Sequence, residues 1–152
     1  MDTSKLDRIK ALLRKQDTCV LATAFKDVPH CSLMSYATDD ECREIYMVTF
    51  KDTTKHRNLC ENPVVSLLVD TRKEIPGVHR SNIEALTVDG RFERIRDPAK
   101  QDQGRGRLLE RHPHLKEFIE NEDAEIFSVK VTSFLLLDGL TDAHFEAVDD
   151  EA

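Results

Sequence analysis

The chain has 152 residues, 39% of them hydrophobic and 34% charged, with a formal net charge of −7, enough for one domain with a real core and little room for two. An acidic chain gains no general attraction for nucleic acid or for an anionic lipid surface, so both are set aside as partners. No apolar run approaches the ~20 residues that span a bilayer, and residues 1–16 lack the apolar stretch of a secretion signal, so a cytoplasmic protein is expected.

Ser4 opens an amphipathic helix with Leu6, Ile9, Leu12 and Leu13 on one face. Residues 19–25 read as a strand, Lys26-Asp27-Val28-Pro29 as a turn, and 30–37 as the returning strand. After a polar turn, residues 44–50 form a third strand with Ile45 and Met47 on one side and Tyr46 and Val48 on the other. A short basic helix follows and stops at Asn62-Pro63, because proline disfavours helical geometry in the residue before it. Residues 64–70 are apolar on both faces and are expected to be a central strand. The connection 71–82, with Pro76-Gly77, is longer than a hairpin needs.

Residues 83–95 predict a long strand with Gly90 at a bend or bulge. Asp97-Pro98 starts a helix toward Arg111, His112-Pro113 breaks it, and 115–119 adds a further helical turn. The last strand, 124–137, sets Ile126, Ser128, Lys130 and Thr132 against Phe127, Val129 and Val131. Residues 1–140 are expected to form a single domain. Residues 141–152 make an acidic tail with Asp142, Glu146, Asp149, Asp150 and Glu151, expected to be mobile; docking of Phe145 on a neighbouring protomer is the competing reading. Six strands with short connections predict a mainly β fold, a six-stranded antiparallel barrel with a few helices.

The chemistry concentrates in residues 49–68. Thr53, Thr54 and Lys55 stand at a helix start, where free N–H groups and the positive dipole end favour an anion. Hydroxyls and an ammonium add hydrogen bonds there, and Lys51 and Arg57 supply nearby charge. A second reading stays open: Asp52 or Thr53 caps a surface helix and Lys55 is solvated. Cysteines 19, 31, 42 and 60 show neither a C-x-x-C pair nor zinc spacing, so all four are read as reduced. His112 and His114 flank a proline and read as helix punctuation rather than a metal pair, and no metal is expected. His79, beside Arg80, and His30 are read as ordinary loop and strand residues, and Gly104-Arg105-Gly106 as a weak point in its helix. No Ser-His-Asp or Cys-His arrangement follows from residue order, so no catalytic residue is assigned.

Three runs in order carry a resemblance: Pro29-His30-Cys31-Ser32-Leu33-Met34-Ser35-Tyr36, then Ile45-Tyr46-Met47-Val48-Thr49, then Thr53-Thr54-Lys55 followed by Asn58-Leu59, Asn62-Pro63 and Val65-Ser66-Leu67. With Ala85-Leu86-Thr87-Val88-Asp89-Gly90-Arg91, and with His112-Pro113-His114-Leu115 and Phe118, the chain resembles the pyridoxamine 5'-phosphate oxidase-like, FMN-binding split-barrel family over roughly residues 5–140. The resemblance implies a six-stranded split barrel that forms a homodimer with FMN at the interface. It implies that Thr49, beside Val48, closes the third strand next to the flavin phosphate, that Thr53, Thr54 and Lys55 grip that phosphate, and that Leu33, Met34 and Ser35 run along the isoalloxazine ring through backbone groups.

There are departures: Thr54 stands where many members carry arginine, and Ser35 and Tyr36 where they carry basic residues. The chain holds no tryptophan and ends in acidic residues, so the namesake oxidation of pyridoxamine phosphate is not expected. The resemblance implies an FMN-dependent oxidoreductase acting on a small molecule, with an electron donor such as NAD(P)H. The alternative is a non-catalytic flavin carrier, or a protein of the same fold that binds haem or a deazaflavin. Val64, Leu67 and the strand 83–88 are apolar enough to be buried between protomers.

Overall fold

The computed structural model describes residues 3–74, 77 and 79–149; Pro76, Asp150 and Glu151 of the sequence reading lie outside the described residues. Helix α1 (Thr3–Lys15) buries Ile9, Leu12 and Leu13, the face that its spacing predicts. Strands β1 (Thr18–Phe25) and β2 (Val28–Ser35) pair along their whole length. Their turn is only Lys26-Asp27, with φ of 51° and 64°, because two consecutive left-handed residues give the twist that a two-residue hairpin requires. Val28 and Pro29, expected in the turn, therefore belong to β2. Proline is tolerated there because β2 is an edge strand, where a missing N–H breaks nothing essential.

One residue, Tyr36, separates β2 from β3 (Ala37–Thr38), which pairs not with β1 but with β4 (Glu44–Phe50). Strands β5 (Val64–Asp70), β6 (Glu84–Arg94) and β7 (Ala124–Asp138) complete a curled antiparallel sheet of order β2-β1-β5-β6-β7-β4-β3. Its two ends are one continuous bent strand. Taken so, β2–β3 joins β1, β4, β5, β6 and β7 as the six strands expected. The bend is tied at three points: Tyr36 N–H donates to Asp17 O (3.0 Å), its hydroxyl to Leu13 O (2.6 Å), and its carbonyl lies 2.9 Å from His112 Nε2.

The tail departs from expectation. Asp142–Ala147 forms an ordered strand, β8, paired with β7 over Ser133–Asp138 in register. The cause lies in β7, whose first half pairs with β4 and whose second half would otherwise show an open edge. Between the halves, Asp89 pairs with Ser133 but Gly90 with Val131, so Thr132 is the extra residue of a bulge. Gly90 is required at that point: a Cβ would stand 2.6 Å from Lys130 O.

Two cores result. The interior one gathers Leu21, Ile45, Met47, Leu67, Leu86, Val88, Phe127 and Phe134 under α1. The other lies on the opposite face of β4 and β7, where Tyr46, Val48 and Ile126 meet Leu108 of α3 (Pro98–Arg111) and Ile119 of α4 (Lys116–Glu120). Asp97 caps α3, its side chain accepting from Ala99 N–H. Gly104, expected as a weak point, is buried where α3 packs on β4, and a Cβ there would come within 3.1 Å of the Tyr46 ring. No described helix is long and apolar enough to cross a membrane.

Candidate ligand site

Among the described residues, β2 pairs only with β1, and beyond Tyr46 the strand β4 pairs only with β7. The two strands thus flank a split, each with one open edge. At the carboxyl end of β4 the chain turns through Lys51-Asp52 into α2 (Thr54–Glu61), so this helix opens beside the split.

Local chemistry sets the helix start. Thr53 is the N-cap, with φ −137° and ψ 159°; its Oγ1 accepts from His56 N–H (3.1 Å) and donates to Phe50 O (3.1 Å). Its hydroxyl is therefore committed to the protein. Thr54 is exposed, Lys55 is half-buried, and the backbone N–H groups of both fall in the first turn, which has no intrahelical partners. Below them α2 is anchored by fully buried Leu59 and by Asn58, whose Nδ2 donates to Thr23 Oγ1 of β1 (3.1 Å). Asn62 closes the helix, its N–H donating to Asn58 O (2.7 Å).

Thr49, Thr53, Thr54 and Lys55 thus come together at one end of β4, while Leu33, Met34 and Ser35 lie across the split on β2. Their side chains divide. Met34 (6% exposed) belongs to the interior core and Val48 (8%) to the outer one, whereas Leu33 is 77% exposed on the outward face. Thr49 is buried, its Oγ1 3.4 Å from Phe50 O. Met34 and Val48 can offer a ligand little besides their backbone edges.

Sequence reasoning missed a polar cluster against the same helix. His56 Nε2 lies 2.8 Å from Glu125 Oε1, and Arg94 Nε donates to Glu125 Oε2 at 2.8 Å. Arg94 also reaches Cys60 Sγ (3.2 Å). Burial opposes ionisation of Glu125, but the hydrogen bonds from His56 and Arg94 outweigh it and hold the carboxyl below the usual carboxylate range. A cavity of about 420 Å³ opens beside them, lined by Lys51, Gln101, Ile95 and Ile126 among others. The only local signal was His56 and Cys60 four apart on a helix; Glu125 and Arg94 come from strands far along the chain.

The other singled-out residues lie elsewhere. His112 is buried at the Tyr36 bend, His79 is exposed, and His30 is half-buried on β2. Cys19 and Cys42 are buried, Cys31 and Cys60 exposed, and all four are free. Leu67, expected between protomers, is 1% exposed and points into the interior core, as do Leu86 and Val88. The residues available outward are others. Leu33, Val20, Leu68, Thr87, Leu135 and Phe145 are successive cross-strand neighbours in one row around the barrel. Leu68, Leu135 and Phe145 are 37%, 41% and 62% exposed, and Val64 beside the row is 56% exposed.

The sequence model of the pyridoxamine 5'-phosphate oxidase family matches residues 6–137. No curated protein matches in sequence. Among solved structures, a haem-binding protein from Mycobacterium smegmatis superposes with a TM-score of 0.81 at 16% identity, over 91% of this chain. The chain spans only 56% of that protein's length. A protein related to general stress protein 26 of B. subtilis (pyridoxinephosphate oxidase family), from Clostridium acetobutylicum, matches over 99% of both chains with a TM-score of 0.74 and 14% identity. A FAD-binding protein from Mesorhizobium loti matches over 84% of this chain and 89% of its own, with a TM-score of 0.66 and 20% identity. At these identities the likeness to solved structures is one of fold.

Proposed function

The chain belongs to the pyridoxamine 5'-phosphate oxidase family, and from that premise we propose that it is an FMN-dependent oxidoreductase acting on a small molecule, with the flavin in the split between β2 and β4. The observation that carries this reading is the first turn of α2. Thr54 and Lys55 have free backbone donors, a hydroxyl and an ammonium at a capped helix start, a donor set suited to a phosphate monoester. Thr53 serves that set by holding the turn. On β2, Leu33, Met34 and Ser35 would meet the ring through the open strand edge. Bound FMN supplies the electron transfer; the chain supplies binding and orientation. A nicotinamide is the donor class we favour, and four free cysteines, two of them exposed, suit a reducing cytoplasm.

The flavin would lie at the interface of a homodimer formed through the outward row of Leu68, Leu135 and their neighbours. A second reading, a carrier or a haem-binding protein, is favoured by one observation, the fold shared with a haem-binding relative. The absorbance spectrum after reconstitution separates them, since flavin and haem absorb distinctly, and bleaching by NADH or NADPH separates enzyme from carrier. FMN is expected to bind in preference to riboflavin and FAD. Lys55→Ala should weaken FMN about tenfold to a hundredfold, the worth of one charge-assisted hydrogen bond. Unchanged affinity in that variant removes Lys55 from the site. Light scattering tests the dimer: a monomer of the 17.4 kDa chain that still holds flavin refutes it.

A further inference from the structure

His56 is the third residue of α2, directly after Lys55, yet its side chain faces the protein rather than solvent: it is 12% exposed and its partner Glu125 is 11% exposed. The charged and titratable groups around it come from four elements. Glu125 belongs to β7 and Arg94 to β6; Lys51 lines the adjoining cavity from the loop after β4; Cys60 of α2 lies 3.8 Å from Nδ1. Helix α3 contributes only the neutral Gln101 to this cavity.

With the imidazole neutral, Glu125 and Arg94 cancel each other; with it protonated, the cluster gains one positive charge a single residue from Lys55. The same contacts fasten the first turn of α2 to β6 and β7, just as Asn58 fastens the next turn to β1.

We infer that His56 is a positioning residue of the ligand site that also sets its charge: pinned by Glu125, which Arg94 holds in turn, it fixes the first turn of α2, and in its protonated form it tightens the hold of that turn on a phosphate monoester. This rests on the flavin reading above. By linkage, a bound phosphate favours the protonated imidazole to the same degree. The contribution is present at low pH and lost as the imidazole deprotonates.

The test titrates FMN into the wild-type protein and His56→Asn between pH 5.5 and 8.5, the span over which imidazoles change charge. The phosphate of FMN itself titrates near pH 6, but equally for both proteins, so the ratio of affinities is what is read. Wild type should bind about threefold to tenfold more tightly at pH 5.5, the worth of one partly screened charge in the same neighbourhood. The ratio should shrink toward pH 8.5 to a remainder that reports positioning alone. A ratio constant across pH overturns the inference and leaves the flavin reading standing. In the unmutated protein, added FMN should move the NMR titration of the His56 ring to higher pH; an unmoved titration also overturns it. If wild type binds no FMN at any pH, the flavin reading fails first.

Discussion

Replacing Thr53 with valine tests how the site is built, because the structure gives this hydroxyl a task other than touching a ligand. Valine keeps the shape and removes two hydrogen bonds of 3.1 Å, one to Phe50 O and one from His56 N–H. Loss of an N-cap costs about 1 kcal/mol, with 2 kcal/mol as a ceiling where the neighbouring groups are part-buried. For a chain of this size that is a fall in Tm of about 3–6 °C. FMN affinity should fall with it, since the frayed turn is the one that carries Thr54 and Lys55. Thr53→Ser should restore both. Thr54→Ala is the counterpart: Thr54 is exposed and its side chain makes no hydrogen bond among the described residues, so Tm should hold while FMN weakens several-fold. Thermal melts by circular dichroism and fluorescence titration of FMN read both quantities. A Thr53→Val protein with unchanged Tm and reduced FMN affinity would refute the reasoning, because it would make Thr53 a direct ligand rather than a cap.

Truncation after Leu140 removes β8 and the Val148 N–H that donates to Thr132 O at the bulge (2.9 Å); a loss of about 2 kcal/mol, or about 4–8 °C in Tm, is expected, and an unchanged melt would return the tail to the mobile reading. Tyr36→Phe leaves the Leu13 carbonyl at the end of α1 without its 2.6 Å partner, so chemical denaturation should show a loss of about 1–3 kcal/mol. Burial pushes the Cys19 thiol up from 9.0 to about 12. A raised folded-state value stabilises below the ordinary thiol range and is lost as pH rises through 9 to 12. Between pH 8 and 10.5 the wild type should therefore lose about 2 kcal/mol more than Cys19→Ala, and parallel denaturation curves would contradict this.

Local pattern carried much of the architecture. The alternation in β4 sets Ile45 and Met47 on one side and Tyr46 and Val48 on the other, because each side chain's direction follows from its position in the strand, and in the structure the two sides face the two cores. Asp97-Pro98 and Asn62-Pro63 marked helix ends by backbone chemistry alone. What stayed hidden depends on residues distant in sequence. β5 is apolar on both faces, so nothing within it says that Leu67 turns inward while Val64 and Leu68 face out. The Tyr36 bend needs Leu13, Asp17 and His112 to hold it. β8 reads as an acidic tail because its strand character comes from an open edge on β7. In the candidate site, the sequence leaves Thr53 open as a phosphate ligand or a helix cap, and the structure shows it capping α2; His56 carries no signal in the sequence because Glu125 and Arg94 lie on β7 and β6.

The ladder between β4 and β7 has a consequence for synthesis. Met47 pairs with Phe127, about 80 residues later, so a nascent chain carries β4 without its main partner while all of that intervening stretch is made. During that interval Ile45-Tyr46-Met47-Val48, apolar on both faces, is a short β-prone segment of the kind that seeds aggregation. The hairpin β1–β2 can form early and gives it no shelter, because among the described residues β2 makes no ladder with β4 and only the two residues of β3 pair with it. Lys51, Lys55 and Arg57 follow the segment within ten residues. These three cations, of which Lys55 is the one proposed to meet a ligand in the folded protein, would on the ribosome act as charged gatekeepers that keep the waiting strand from joining another copy of itself.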